Sequence, residues 1–304
     1  MRLLIKIRTL ILGLLLVTVM VSKAQLEKVN LAIEFYEKNQ LDSAKVNIDN
    51  AILNPESAND AQSWYIRGII YTDIYKKKEK SNKMSPARFE ALDALRQSII
   101  LDRNNDYLSE NINIMKFLIV TMHNDEAECF EDLIEYQTAI DLFRKEQEYY
   151  KIIDPSTDTY QAREIEFALA LGSVYNTFIE SSKDSAASVK YINLAKALYT
   201  KILSIEPNNV SANYSLGILY YNQAVNLIKS QPYDADLMVL EVVQDQSVKL
   251  FKASLPFMEK AHTLDPQREE AIIGLSGIYF GLNEPEKSNI YRQQLKDIKK
   301  NKKE

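Results

Sequence analysis

The octapeptide WYIRGIIY, residues 64–71, sets a glycine in the middle of an apolar run with helical spacing, in a chain that has only seven glycines. Glycine in a helix interior costs about 1 kcal/mol relative to alanine, so packing has to compensate. The arrangement returns twice. Gly68 is followed three residues later by Tyr71, Gly172 by Tyr175 and Gly217 by Tyr220, in the segments ALALGSVY (168–175) and NYSLGILY (213–220). A small residue at a fixed point on a helix lets a second helix approach its backbone, and the tyrosine one turn later covers the neighbouring gap. Recurrence of one such unit along the chain is the mark of a repeat architecture.

A second pattern follows each copy. Ala91, Leu95 and Ser98 precede LDRNN; Ala195, Tyr199 and Ile202 precede IEPNN; Ser254, Met258 and Ala261 precede LDPQR. Ala44, Ile48 and Ala51 before LNPES, and Ala139 with Phe143 before IIDPS, extend the series. Each is a small residue, a large one four later and a stop. Pro207 and Pro266 explain two of the stops, because proline cannot continue a helix and disfavours helix in the residue before it. Apolar residues at helical spacing, as in 161–180, and few glycines and prolines argue for an all-α chain.

The two patterns together resemble the tetratricopeptide repeat, an antiparallel helix pair with W-x-x-L-G-x-x-Y on its first helix and A-x-x-x-F-x-x-A on its second. Trp64, Gly68 and Tyr71 match the first-helix motif, with Arg67 departing at the leucine place. Leu171, Gly172 and Tyr175 match it, as do Leu216, Gly217 and Tyr220. The last unit matches through Leu275 and Tyr279 with Ser276 as the small residue, and the first through Leu31, Ala32 and Phe35. The resemblance implies a right-handed α-solenoid of about five to six antiparallel helix pairs over residues 25–299, followed by a basic tail at 300–304. Several units exceed the usual repeat of about 34 residues. Extra residues fall around KKKEKSNKMSP, ESSKDSAAS and LMVLEVVQDQSVKLFK, read as lengthened hairpins. Pro256 lies in the last of these, as a kink or a helix start.

Residues 1–24 read as a secretory signal peptide: Arg2, Lys6 and Arg8, an apolar run at 10–21, then Ser22-Lys23-Ala24. The run is short against the ~20 residues of a membrane span, which favours cleavage after Ala24 over an uncleaved anchor. Export to the periplasm is expected, with outer-membrane association or secretion as alternatives. The long hairpins and the KAQ end of the leader resemble exported repeat proteins of the Bacteroidota. Without the four positive charges of the leader, 33 basic and 42 acidic residues remain, a net charge of −9. Such a balance disfavours general nucleic-acid binding, which rests on neutralising phosphates. Cys129 is the only cysteine, so no intramolecular disulfide can form.

Candidates for chemistry are few. His123 and His262 each lack a nearby Cys or His with ligand spacing, which gives no metal site and no cofactor. His123 and Cys129 are six residues apart, about 240° around a helix, so they share no face. Cys129 reads as a small packed side chain and His262 as a residue near a helix end. GLSGIY (274–279) lacks the second spaced glycine and the preceding strand of a nucleophile elbow. KKKEK (76–80) and the C-terminal lysines read as solvated faces, with binding to anionic lipid or an acidic partner as the alternative. No catalytic residue is assigned and an enzyme is not expected.

In the tetratricopeptide family the first helices line a concave binding surface. Carried onto this sequence, that surface takes Tyr65, Ile69 and Asp73 from the second unit. The fourth unit gives Asn176, and the fifth gives Tyr214, Ile218, Tyr221 and Asn222. Tyrosines there either meet a ligand or pack on the next unit. Some family members clamp a terminal carboxylate with Lys and Asn; Tyr65, Ile69, Tyr214 and Ile218 stand at those places here and do not support it. The function expected is a non-catalytic exported scaffold that binds a protein or peptide. The alternatives are a structural subunit of a cell-envelope or secretion assembly using the hairpin around 225–252, and a helical enzyme or ligand-binding protein with no visible motif.

Overall fold

The computed structural model describes residues 27–302 except 155, 183, 184 and 233, and gives only the backbone of 157–159, 185 and 186. The signal peptide read at 1–24, and residues 303 and 304 of the basic tail, lie outside the described residues. The described residues are all-α, with no strand among them. They form two compact units that divide between Ser156 and Thr157.

The first unit contains α1 (27–37), α2 (Leu41–Ala51), the single turn α3 (Pro55–Ala58), α4 (Ala61–Ile74), α5 (Pro86–Leu101), α6 (Leu108–Glu131) and α7 (Tyr136–Ile153). The second contains α8 (Thr157–Ser181), α9 (Ser185–Ile205), α10 (Val210–Lys229), α11 (Leu237–Leu264), α12 (Glu269–Gly281) and α13 (Pro285–Asn301). The helices pair in sequence as α4/α5, α6/α7, α8/α9, α10/α11 and α12/α13, the pattern of tetratricopeptide-like hairpins.

Local chemistry sets the ends. Asp60, Ser85, Asn209 and Asp236 cap α4, α5, α10 and α11 by accepting from Ser63, Arg88, Ala212 and Met238 backbone N–H groups. Such a cap contributes about 1 kcal/mol. Pro55, Pro86 and Pro285 open helices where the missing N–H costs nothing. α9 and α11 end at Ile205 and Leu264, two residues before Pro207 and Pro266. The turns after α1 and α12 share one device. Asn39 and Asn283 take left-handed backbone (φ 58° and 60°), and Gln40 and Glu284 donate back to the Phe35 and Tyr279 carbonyls at 2.8 Å. That is an asparagine-terminated helix end of the Schellman type.

Each repeated glycine meets the large residue of the second pattern. A Cβ on Gly68 would lie 2.5 Å from Leu95, one on Gly172 2.6 Å from the Tyr199 hydroxyl, and one on Gly217 3.2 Å from the Met258 backbone nitrogen. The small members of the second pattern bind across the same seams: Ser98 Oγ donates to the Ala61 carbonyl at 2.9 Å and Ser254 Oγ to the Gly217 carbonyl at 2.6 Å. Buried Ala224, Phe251, Met258, Leu275, Ile278 and Tyr279 build the core between the last two pairs.

Two expectations need refinement. The extra residues after Tyr71 lengthen the hairpin through irregular structure. Tyr75–Glu79 forms a π-helical turn, and an irregular segment leads from it to the Ser85 cap. Pro256 neither begins nor ends a helix, since α11 runs through it for 28 residues. The prolyl ring removes one backbone donor, while Ser254, Met258 and Ala261 around it stay buried against neighbours.

Arg67, the departure from the motif, is buried and ion-paired. Its Nε lies 3.0 Å from Asp49 and its Nη2 2.7 Å from Glu90, and Tyr71 Oη donates to Asp49 at 2.7 Å. Tyr279 Oη donates likewise to Glu259. Asp49 and Glu259 each directly follow the large residue of the second pattern, Ile48 and Met258. The repeat tyrosine thus reaches back to a carboxylate of the preceding pair.

Candidate functional site

Four of the five sequence-derived candidates on α8 and α10 converge. Asn176 of α8 and Tyr214, Ile218 and Asn222 of α10 line one pocket of about 200 Å³. Ile192 of α9 closes one side, and Ser215, Gln223 and Asn226 add polar groups that the sequence reading missed. Asn226 stands one turn after Asn222 and could have been found by the same spacing.

Behind Asn176 lies the seam at Gly172. Room at Gly172 admits the Tyr199 phenol, whose hydroxyl accepts from the Asn176 amide at 3.0 Å. Burial pushes the Tyr199 phenol up, with hydrogen bonds from Ser215 and Asn176 pulling the other way. Burial likewise raises Tyr214, opposed by Arg268, whose guanidinium sits 4.2 Å from the ring centroid. Lys196 donates to Gln223 Oε1 at 3.3 Å and lies 4.2 Å from the Tyr220 ring, and burial lowers its pKa. The walls are amide, hydroxyl and aliphatic, with the single carboxylate of Glu180. Its amides and hydroxyls can both donate to and accept from a peptide backbone.

The remaining candidates are engaged elsewhere. Tyr221 packs inward, its ring 5.7 Å from that of Phe251 and its hydroxyl against Gly277. Tyr65 of α4 lies 4.9 Å from the Tyr107 ring, ahead of α6. Asp73 accepts from Tyr36 Oη at 3.0 Å, and burial followed by that hydrogen bond pushes the Tyr36 phenol up to about 12. Ile69 is half-buried.

Cys129 is fully buried on α6, and burial pushes its thiol up to about 11. The thiol form reacts poorly. Iodoacetamide at neutral pH should leave native Cys129 unmodified and alkylate it only in denaturant, read by intact mass. Rapid native alkylation would contradict the packing described.

His262 lies 5.5 Å edge-on to Tyr291, and its buried Nδ1 has no hydrogen-bond partner among the described residues. Burial holds the imidazole below its ordinary value, against the opposing charge of Asp265. A folded pKa below the unfolded one means that the native state favours neutral histidine. Its contribution is full above about pH 6.5 and is lost as the pH falls through that value towards the folded pKa. The difference in Tm between the wild type and His262→Gln should therefore shrink as the pH drops from about 7.5 to about 5. A constant difference across that range would refute the assignment.

Among the described residues no group of His, Cys, Asp and Glu is placed to hold a metal ion, and no helix is long and apolar enough to cross a membrane. No family model matches the chain, and no curated protein matches it. Solved structures with similar arrangements exist at low identity. The MamA protein is 16% identical over 78% of this chain and 93% of its own, with a TM-score of 0.34. The TPR2AB domain of yeast Sti1, in complex with pHSP90, is 15% identical over 91% of each chain, with a TM-score of 0.29. A monomeric IFIT1 mutant with Gppp-AAAA is 16% identical over 84% of this chain, with a TM-score of 0.35, and this chain spans 46% of its length.

Proposed function

We propose that this chain is an exported, non-catalytic scaffold that holds a protein or peptide segment in the pocket between α8 and α10. The observation that carries the reading is the convergence of Asn176, Tyr214, Ile218 and Asn222 on one pocket that also presents Ser215, Gln223 and Asn226. Amides at successive turns suit an extended backbone, and the half-buried Tyr214 offers apolar area with a polar tip, a common interface composition. The partner is a protein segment rather than nucleic acid, in keeping with the acidic balance of the chain.

A peptide-display selection on the purified protein tests the reading. Recovered peptides should bind Tyr214→Ala/Asn222→Ala at least about tenfold more weakly, a loss of ~1.4 kcal/mol. Equal affinity for wild type and variant would overturn it. Export rests on the leader at 1–24. Sequencing the N-terminus of protein recovered from the cell envelope should find Gln25, and an intact Met1 there would sink the cleavage proposal.

A further inference from the structure

α11 opens on LMVLEV, and its first residues stay exposed. Leu237 is 83% exposed and Met238 77%, and Val239, Leu240 and Val242 are exposed beside them. The helix is nonetheless well begun, with Asp236 accepting from the Met238 backbone at 2.7 Å. Ile228, in the last turn of α10, adds to the exposed apolar surface of this hairpin end. A contiguous apolar surface on a folded helix marks an interaction site. Its surroundings are mainly acidic: residues 230–245 contain Asp234, Asp236, Glu241 and Asp245 and no lysine or arginine, against Lys229 beside Ile228.

The last helix pair presents the complement. Ile273 and Phe280, seven residues apart on one stripe of α12, are 51% and 66% exposed. Basic side chains of α13 and of its C-cap Lys302 border that stripe and outnumber Glu269 and Glu270 in the first turn of α12. Arg292 lies 5.6 Å from the Phe280 ring, and Lys299 and Lys302 reach Glu269, one turn before Ile273, at 4.0 and 2.6 Å. Residues 292–302 carry five basic side chains against the single acid Asp297.

We propose that copies of this chain associate head to tail, the acidic apolar end of α11 in one copy seating on the basic apolar face of α12 and α13 in the next. Charge selects this pairing over its rivals. End against end would set acid on acid, and face against face base on base, so neither symmetric contact forms. An anionic bilayer repels the acidic end for the same reason. A contact between two different patches leaves one of each free on every assembled pair, so assembly continues with concentration until it closes into a ring or extends as a filament. The contact uses none of the residues of the α8–α10 pocket, so the two proposals stand or fall separately.

Sedimentation velocity on the purified protein tests it. At about 50 mM NaCl the wild type should associate increasingly with concentration, and at about 500 mM it should return to monomer as the charges are screened. Glu241→Lys/Asp245→Lys and Lys296→Glu/Lys300→Glu change only exposed positions. Each alone should weaken self-association at least tenfold, with helical content unchanged by circular dichroism. Mixed in equal amounts, the two variants should regain wild-type assembly, because each reversed patch then meets a complementary one. A wild type monomeric at every concentration, variants that associate as the wild type does, or a mixture that stays monomeric would each overturn the proposal.

Discussion

Replacing Arg88 with methionine is expected to destabilise the first unit by ~3–5 kcal/mol, the cost of breaking a buried ion pair from one side. The Arg88 side chain is fully buried on α5. Its guanidinium meets Asp125 of α6 at 2.6 Å and donates to Tyr75 and Thr121 at 3.3 Å each and to the Lys83 carbonyl. It thereby joins the π-helical turn, the segment before α5 and α6 at one point. Methionine fills much of the volume but leaves the Asp125 carboxylate, largely shielded from water, without its cation. Arg88→Met/Asp125→Leu should recover much of the loss, because an apolar pair of similar volume pays no desolvation. Urea denaturation of the two variants checks both statements, and an Arg88→Met variant within about 1 kcal/mol of wild type would show that the pair contributes little.

The second large effect is expected at Gly217. A Cβ there would sit 3.2 Å from the Met258 backbone nitrogen and 3.3 Å from its terminal methyl. Alanine regains about 1 kcal/mol of helix propensity against a contact a few tenths of an ångström too tight, so Gly217→Ala should fall within about 1 kcal/mol of wild type. Valine adds two methyl groups facing the backbone of α11, which cannot swing aside as a side chain can. Gly217→Val should cost ~3 kcal/mol, the upper range for overpacking a close-packed seam. Equal stability of the alanine and valine variants by thermal denaturation would show that α10 and α11 separate easily, contrary to the geometry.

These two positions differ in how far the sequence announced them. Gly217 was visible as one of three copies of a spacing, and its partner Met258 as the large residue of the second pattern. Arg88 carried no signal, since one arginine near a helix start looks like any solvated cation until α6 is folded over it. The candidate site divides along the same line. Asn176, Tyr214, Ile218 and Asn222 share a pocket because helical phase places them on facing stripes of α8 and α10. Tyr221 stands next to Asn222 in sequence, but the added rotation of one residue turns it into the core against Gly277. The third unit escaped the motif because α6 has no glycine and packs with Met115, Leu118 and Met122 instead.

The sequence by itself determined the all-α class, the paired helices, the glycine seams and the ends of α9 and α11 before Pro207 and Pro266. These follow from short-range chemistry, namely the 3.6-residue period, proline and the need of each small residue for a large neighbour. Only the tertiary structure decided that Arg67 and Arg88 are buried cations and that the chain after Tyr71 turns through a π-helical segment. It also decided which of eight candidate side chains meet in one pocket, and that an acidic apolar helix end and a basic apolar face both stay uncovered. Each of these depends on which residues distant in sequence come within a few ångströms, and on what water is excluded when they do. Spacing along one helix carries no record of either.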